Sequence, residues 1–498
     1  MSATPVLPAP LEHTPGPPAP ARDTRAPAVI AWLVVALSGV LSAAAVPRGP
    51  VTGTQVIGLL IVATLAGGVA GWCVRSRWAI VAAPALHVAV WELCRATVFR
   101  LDGPTFGRPR FDVTMGVLLF FAVHLMYVVV AAMPMLLGVL GGRAWRHRSA
   151  RSAAVWSAVV VLAVAALGDA LVRPGLVHPV PGGVATVTKV RLGGADQWVS
   201  IRGDSADNPV LLHLSGGPGS SDVGWVRTFN KPLEQNFTVV VWEQRGVGKS
   251  YGALDPTTDL TLDRLVSDGI ELTSWLARRF DEPKIYLTGN SWGSTLGVLM
   301  AQRRPDLFHA FVGTGQMVSQ LETDRQLYRQ LVSYAARTDD RDLRRKLSTL
   351  GQPPYRDVLG YALVMQYYDL IEPYDHVPAF DAARGLSGFF PDEYTLLDTW
   401  NELRGFADMG GLVYPQLQDV DFRRDVPRLD VPVYFMQGRH ELTARSSLAE
   451  EWIAQLDAPV KRVYEFADSG HNADAEEPGR YNNLLVTTVL PETSGKDQ

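Results

Sequence analysis

The stretch YLTGNSWGSTLG, residues 286–297, decides the fold of this chain. It places Ser291 between Gly289 and Gly293, after the apolar run IYLT and before the helical pattern STLGVLMAQ. Small residues on both sides of a serine let the backbone turn sharply from a strand into a helix, with the serine oxygen pointing outward at the helix N-terminus. The pattern therefore predicts a nucleophile at Ser291. In a chain with 45 glycines, an ordinary glycine-rich turn is the alternative for this motif alone.

Short apolar runs alternate with helical patterns on both sides of this stretch. The candidate strands are 210–214, 237–242, 285–288, 308–312, 433–436 and 462–466. Between two of them, one helical face collects Leu262, Leu265, Val266, Leu272 and Leu276 together with Gly269. Such alternation predicts an α/β fold with a mostly parallel sheet and helices on both faces.

A serine hydroxyl needs a histidine base, and the histidine needs an acid that holds its tautomer. In this fold the three follow one another in the order nucleophile, acid, base. His471, in SGH directly after the last candidate strand, is the candidate base, and Glu441, after the strand VYFM, is the candidate acid. Asp430 and Asp468 are alternative acids in less suitable positions.

An oxyanion hole requires two backbone N–H donors, one from the residue after the nucleophile and one from a loop after an earlier strand. Trp292 is the first candidate. The second lies in SGGPG, residues 215–219, which follows the candidate strand VLLHL. An ordinary turn is the alternative interpretation of that loop.

Three motifs in chain order resemble those of the proline iminopeptidase family of α/β-hydrolases. They are SGGPG at 215–219, EQRGVGKS at 243–250 and GNSWGSTL at 289–296. The resemblance covers roughly residues 180–498 and implies an α/β-hydrolase fold with a helical cap.

By this resemblance Ser291 is the nucleophile, His471 the base, and the backbone amides of Gly217 and Trp292 the oxyanion donors. Glu441 stands where the family usually has aspartate. The resemblance implies neither a metal nor a cofactor.

The motifs depart from the family pattern at three positions. Ser215, Glu243 and Asn290 replace its histidine, aspartate and glycine, respectively. None of these replacements removes a catalytic group, so the resemblance implies a hydrolase and leaves its prolyl specificity open.

About 120 residues separate the candidate strands on either side of segment 315–425, far more than an ordinary loop contains. The segment has helical patterns rich in Tyr and Leu, which predict a cap over the site. The resemblance implies that acidic cap residues bind the free amino terminus of the substrate. Glu322 and Glu402 are the candidates, and solvated helix charges are the alternative for each.

In the first third of the chain, residues 26–47, 49–74, 113–142 and 152–168 contain no Lys, Arg, Asp or Glu. Runs of about 20 apolar residues span a bilayer as helices, and the predicted spans are 27–47, 54–74, 78–94, 113–139 and 152–172, the third being the weakest. The predicted organisation is a disordered Pro/Ala-rich tail (1–26), a membrane domain (27–175), a first core part (176–314), the cap (315–425) and a second core part (426–498).

Arginine in short loops is retained on the cytoplasmic side of a membrane. With five spans and a cytoplasmic N-terminus, eight arginines lie inside: Arg22, Arg25, Arg75, Arg77, Arg143, Arg146, Arg148 and Arg151. If residues 78–94 do not cross the membrane, four spans remain and the number of cytoplasmic arginines is again eight. The topology therefore depends on whether the third predicted span crosses. We expect five spans in the cell membrane and an extracytoplasmic C-terminal domain.

Charge and cysteine content restrict the partners. A net charge of -4 without a basic cluster in the soluble region argues against nucleic acid, and the two cysteines, Cys73 and Cys94, provide no disulfide framework there.

The sequence predicts a membrane-anchored serine hydrolase, an aminopeptidase of proline iminopeptidase type that acts on a peptide or small acyl substrate. The alternatives are an esterase or lipid-directed acyl hydrolase and a non-catalytic membrane receptor with a hydrolase fold.

Overall fold

The structure is a computed structural model that describes residues 25–98, 113–147, 149–255, 260–355, 358–372 and 388–493. Except for its last two residues, the predicted disordered tail lies outside the described residues.

Long apolar helices form the N-terminal third of the chain. They are α1 (Arg25–Ala45), α2 (Gly53–Cys73), α3 (Ala79–Thr97), α4 (Thr114–Tyr127), a π-helical turn (Val128–Ala132), α5 (Met133–His147) and α6 (Ala150–Val172). Since α4, the π-helical turn and α5 are continuous, the described residues contain five helices long and apolar enough to cross a membrane. The weakest predicted span, 78–94, corresponds to α3.

Glycines let α2 and α5 pack with their backbones in contact. A Cβ atom at Gly67 would lie 2.1 Å from the carbonyl oxygen of Met135, and one at Gly138 would lie 2.0 Å from that of Thr64. Small residues at such positions are typical of helix pairs in membranes, where close packing replaces the hydrophobic effect as the source of association.

An eight-stranded sheet forms the C-terminal region. Its strands are β1 (Val184–Leu192), β2 (Ala195–Gly203), β3 (Val210–Leu214), β4 (Thr238–Glu243), β5 (Ile285–Asn290), β6 (Phe308–Thr314), β7 (Val433–Gly438) and β8 (Lys461–Phe466). Their order is β1-β2-β4-β3-β5-β6-β7-β8, with β1 and β2 antiparallel and β3 to β8 parallel. The predicted mostly parallel sheet is confirmed.

The sequence analysis missed β1 and β2. Strand β1 is an edge strand that is only partly buried and carries Lys189 and Arg191, so it lacks the continuous apolar run that marks a central strand. Five of the six predicted strands correspond to buried strands, whose apolar runs stand out, whereas 462–466 corresponds to the exposed edge strand β8.

Helices cover both faces of the sheet and form the cap. They are α7 (Val223–Phe229), α8 (Leu262–Phe280), α9 (Trp292–Arg303), α10 (Gln320–Arg337), α11 (Arg341–Leu350), α12 (Val358–Gln366), α13 (Leu396–Leu417), α14 (Phe422–Asp425), α15 (Thr443–Gln455), α16 (Ala473–Glu476), α17 (Pro478–Leu484) and α18 (Leu490–Thr493). Helices α10 to α13 lie between β6 and β7, where the cap is predicted.

Cap helix α13 joins the region around the sheet to the apolar N-terminal helices. The buried guanidinium of Arg404 donates to the carbonyl oxygens of Arg48 (2.7 Å) and Pro50 (2.8 Å) in the loop between α1 and α2. Arg48 pairs in turn with Asp408 at 3.0 Å. The indole of Trp400 donates to the carbonyl oxygen of Ala122 in α4 at 3.0 Å. These contacts fix the cap directly against the apolar N-terminal helices.

Candidate active site

Ser291 occupies the sharp turn between β5 and α9. Its backbone has φ 53° and ψ −120°, a region that non-glycine residues rarely adopt and that costs about 1–3 kcal/mol. Its N–H donates to the carbonyl oxygen of Thr314 at 3.1 Å, which ties the turn to the end of β6. A Cβ atom at Gly293 would lie 2.0 Å from the carbonyl oxygen of Leu214, so the tight turn requires glycine there.

His471 and Glu441 lie on the loops that follow β8 and β7, at the same edge of the sheet as Ser291. A hydrogen bond joins His471 Nδ1 to Glu441 Oε2. The other carboxylate oxygen, Oε1, accepts from the N–H of Leu442 at 2.8 Å and from Arg445 Nη1 at 3.2 Å. A carboxylate next to Nδ1 favours the tautomer with the proton on Nδ1, in which Nε2 is the nitrogen that can accept a proton.

The environment keeps Glu441 ionised. Burial by itself would raise the pKa of this carboxyl, but the charges of His471 and Arg445 and the hydrogen bonds from His471 and Leu442 outweigh it and lower the pKa to about 2. A carboxylate that is ionised at every working pH can stabilise an imidazolium as it forms.

Arg445 is a site residue that the sequence analysis did not identify. Besides contacting Glu441, its Nη1 lies 3.2 Å from His471 Nδ1, and its Nη2 donates to the hydroxyl of Tyr361 in the cap. Its position four residues after Glu441 is the signal that could have pointed to it, because Glu441 lies just before α15 and Arg445 lies in the first turn of that helix.

The loop 215–219 lies beside the nucleophile, as its place after β3 predicts. A Cβ atom at Gly216 would lie 3.6 Å from the Cβ of Ser291, and Gly217, with φ 111°, borders the same cavities as Ser291. Trp292 is the first residue of α9, where backbone N–H groups have no acceptor within the helix. Its indole donates to Gln244 at 2.9 Å, which holds the start of the helix in place.

Asn290 replaces the glycine of the family motif and has a structural role here. Its side-chain amide donates to Thr314 Oγ1 (3.2 Å), the carbonyl oxygen of His471 (3.3 Å) and Asp474 Oδ1 (3.3 Å). The substitution therefore connects the nucleophile turn with the loop that carries the candidate base.

Two cavities meet at Ser291. The first, which we call the apolar cavity, has a volume of about 430 Å³ and lies between Ser291, cap helices α12 and α13, and helix α4. The second, which we call the acidic cavity, has a volume of about 420 Å³ and is bordered by Ser291, His471, Glu402, Asp222 and Asp474. Both cavities are lined mostly by apolar side chains, and they differ in that carboxyl groups border only the acidic cavity.

Glu402 belongs to the acidic cavity and is 5% exposed. Its Oε1 accepts from the N–H of Ser221 at 3.3 Å. Burial raises the pKa of Glu402 well above its usual value, and the nearby carboxyl of Glu243 raises it further. Burial also raises the pKa of Glu243 to about 7, against the hydrogen bond from Tyr394. A positive charge bound next to Glu402 would lower this pKa and favour the ionised carboxylate.

The structure places Glu322 away from both cavities. It lies in the first turn of α10, where its backbone N–H is capped by Ser319 at 3.4 Å. Its carboxylate pairs with Arg325 at 3.6 Å and with Arg329 at 3.1 Å. The alternative that the sequence left open, a solvated helix charge, describes this residue. Of the two cap glutamates, only Glu402 borders the space next to Ser291.

Known proteins match the same part of the chain. A family model described as alpha/beta hydrolase fold matches residues 209–478, more than half of the chain. Probable aminopeptidase YbaC from Bacillus subtilis (strain 168) is 30% identical over 303 residues, which cover 61% of this chain and 95% of that protein. A proline iminopeptidase from Lactobacillus helveticus is 25% identical over 311 residues, covering 60% and 95%.

Among solved structures, a proline iminopeptidase from Mycobacterium smegmatis aligns with 62% of this chain and 99% of its own, at 18% identity and a TM-score of 0.46. Together with the sequence matches, the sheet described above confirms the α/β-hydrolase fold and the resemblance inferred from the three motifs.

Proposed function

We propose a function from the premise that this chain belongs to the α/β-hydrolase fold family. On that premise it is a membrane-anchored serine hydrolase, an aminopeptidase of proline iminopeptidase type that removes N-terminal residues from peptides through an acyl-enzyme. Its relatives named aminopeptidase and proline iminopeptidase support this reaction class.

In the proposed reaction Ser291 Oγ attacks the scissile carbonyl while His471 Nε2 takes its proton. Glu441 holds the imidazole in the required tautomer, and the N–H groups of Gly217 and Trp292 stabilise the oxyanion. The C–N bond then breaks, His471 protonates the leaving amine, and water hydrolyses the acyl-enzyme. The hydrogen-bonded pair of His471 and Glu441 beside the strained turn at Ser291 supports these roles.

The observation that carries the aminopeptidase assignment is that Ser291 and Glu402 border one cavity. An aminopeptidase must hold a free ammonium at a fixed distance from the carbonyl that is attacked. Glu402 provides a buried carboxyl for this purpose, and binding of an ammonium group would favour its ionised form. The same carboxyl gives no such advantage to an N-acylated substrate.

Full-length protein in nanodiscs tests the proposal with free and N-acetylated proline 4-nitroanilide. We expect hydrolysis of the free amine, loss of activity in Ser291→Ala, and a ten- to hundredfold rise in KM for the free amine in Glu402→Gln. Glu322→Gln is the matched control, since it makes the same change on a cap helix outside both cavities. Equal turnover of both substrates by the wild type would refute the aminopeptidase assignment.

An esterase or lipid-directed acyl hydrolase is the second candidate. The apolar cavity, which reaches from Ser291 to helix α4, is the observation that favours it. This alternative expects N-blocked or ester substrates to be hydrolysed best and the Glu402→Gln variant to retain full activity.

We further propose that the five apolar helices anchor the protein with its hydrolase region outside the cytoplasm. The loop between α1 and α2 and the start of α4 contact the cap, so the N-terminus of α1 and the α2–α3 and α5–α6 connections belong to the opposite side. That opposite side carries the described arginines Arg25, Arg75, Arg77, Arg143, Arg146 and Arg151. Retention of arginine in the cytoplasm supports this orientation.

A further inference from the structure

We propose that the apolar cavity binds a long apolar chain that enters from the bilayer along helix α4, so that the substrate is an amide whose leaving group is a membrane amphiphile. This inference rests on the proposed function and specifies the substrate class of the same site.

Helix α4 supplies part of the cavity wall. Thr114, Leu118 and Leu119 of α4 border the apolar cavity together with Ser291. The backbone N–H of Thr114 donates to Gln366 Oε1 of cap helix α12 at 2.9 Å, which holds the start of α4 against the cap. A candidate membrane span thus forms one wall of the space in which the nucleophile lies.

The opposite faces of α4 meet different surroundings. Val123, Met126 and Val130 are buried among the other membrane helices, whereas Phe121 and Leu125 are each 61% exposed. In a membrane the exposed face contacts lipid, because large apolar side chains on a spanning helix face either another helix or the acyl chains.

Leu118 lies both at the apolar cavity and on the exposed face of α4. It borders the apolar cavity and is also 60% exposed, in line with Phe121 and Leu125 on the lipid-facing side of the helix. With a rise of about 1.5 Å per residue, Leu118 lies roughly 6 Å along the helix from Thr114, within the first turns of the span. The cavity therefore reaches the bilayer near the boundary between headgroups and acyl chains.

Other exposed apolar side chains lie at the end of α6 and in the adjoining part of the cap. Leu176, just after α6, is 66% exposed, and Phe390 and Leu396 of the cap are 60% and 53% exposed. The N–H of Leu176 donates to the carbonyl oxygen of Asp392 at 2.6 Å, so the end of α6 and this part of the cap are adjacent. Together they form an apolar rim that favours contact with the membrane surface.

The chemistry of the two cavities sets the orientation of the substrate. Among the described residues that border the apolar cavity, Arg445 alone carries a charge, and it is already bound to Glu441. If Glu402 holds the ammonium in the acidic cavity, the acyl residue lies there and the leaving group must extend into the apolar cavity. If the leaving group carries an alkyl chain, that chain would move from the lipid into the apolar cavity.

The test uses prolyl amides of butylamine, octylamine and dodecylamine with full-length protein in phosphatidylcholine nanodiscs, and measures the released amine. With KM referred to the concentration of amide free in water, we expect kcat/KM to rise about fourfold per methylene until the chain fills the cavity, because each added CH₂ group leaves water. Leu118→Trp should lower the dodecyl-to-butyl ratio about tenfold by narrowing the entrance. Leu125→Trp, on the same helix face but outside the cavity, is the matched control and should keep the wild-type ratio.

A crosslinking measurement separates this inference from the proposed function, because it requires no turnover. Ser291→Ala protein is incubated with a prolyl dodecylamide that carries a diazirine at the chain end, and we expect crosslinks in segments 114–119 and 358–366. Such crosslinks without hydrolysis of any amide by the wild type would refute the proposed function and retain the chain-binding site. The inference would be overturned if the wild-type ratio of kcat/KM for the dodecyl amide to that for the butyl amide were near one. It would also be overturned if the enzyme preferred substrates with the alkyl chain on the acyl side, or if the crosslinks were confined to other segments.

Discussion

The Glu441→Gln variant gives the sharpest test of the candidate triad, because the structure decides how the new amide must lie. The Oε1 position of Glu441 is surrounded by two donors, the N–H of Leu442 at 2.8 Å and Nη1 of Arg445 at 3.2 Å. The amide oxygen of glutamine must take that position. Its NH₂ group then takes the Oε2 position and faces His471 Nδ1.

A donor facing Nδ1 reverses the tautomer of the histidine. Nδ1 becomes the acceptor and Nε2 carries the proton, so Nε2 can no longer accept the proton of Ser291. In serine proteases the same exchange of a carboxylate for its amide lowers kcat about 10⁴-fold. We expect a loss of that size here, which corresponds to about 5 kcal/mol of transition-state stabilisation.

The assay is kcat for proline 4-nitroanilide together with the rate at which a fluorophosphonate labels Ser291, both on full-length protein in nanodiscs. Asp430→Asn is the matched control: Asp430 pairs with Arg428 at 2.6 Å on the surface, so the same chemical change should have no effect there. The melting temperature of each variant shows whether it is folded. A folded Glu441→Gln protein with kcat within tenfold of the wild type would refute the role of Glu441.

Three further predictions concern the cavity, the fold and the topology. Burial raises the pKa of Glu402, and only the ionised carboxylate attracts an ammonium, so kcat/KM for the free amine should still rise with pH where kcat/KM for the N-acetylated substrate has reached its plateau. The Glu402→Gln variant should show the same pH profile for both substrates. A difference between the two profiles in that variant would argue against the role of Glu402. Gly293→Ala would bring a Cβ atom 2.0 Å from the carbonyl oxygen of Leu214, so we expect loss of fluorophosphonate labelling and a lower melting temperature, whereas a variant labelled at the wild-type rate would contradict the geometry of the turn. Protease added outside intact cells should digest the hydrolase region, and full protection would place that region in the cytoplasm.

The sequence predicted those parts of the fold that depend on local pattern. The strand at 210–214 was predicted with its observed bounds, because a central parallel strand is buried on both faces and has a continuous apolar run. The antiparallel strands β1 and β2 were missed because charged residues interrupt their apolar runs, although β2 lies inside the sheet and is mostly buried. The five apolar spans follow from length and hydropathy alone.

Side chains that are distant in sequence could not be assigned to the site in this way. Glu322 and Glu402 are both acidic residues on cap helices, and only the packing of α13 brings Glu402 into the cavity beside Ser291. Arg445 was missed because nothing in its local sequence shows that it lies next to His471, 26 residues away.

The sequence by itself determined the chemistry that local geometry can encode: a serine on a tight turn, glycine-rich donor loops, and apolar spans. A turn or a span depends on neighbouring residues, so its pattern is visible in the chain. Only the tertiary structure decided which groups share the space around Ser291. One wall of this space is formed by α4, part of a helix that is long and apolar enough to cross a membrane. This arrangement follows from the packing of α4 against the cap, through contacts such as Thr114 with Gln366, which are 252 residues apart. No local pattern specifies contacts of that separation.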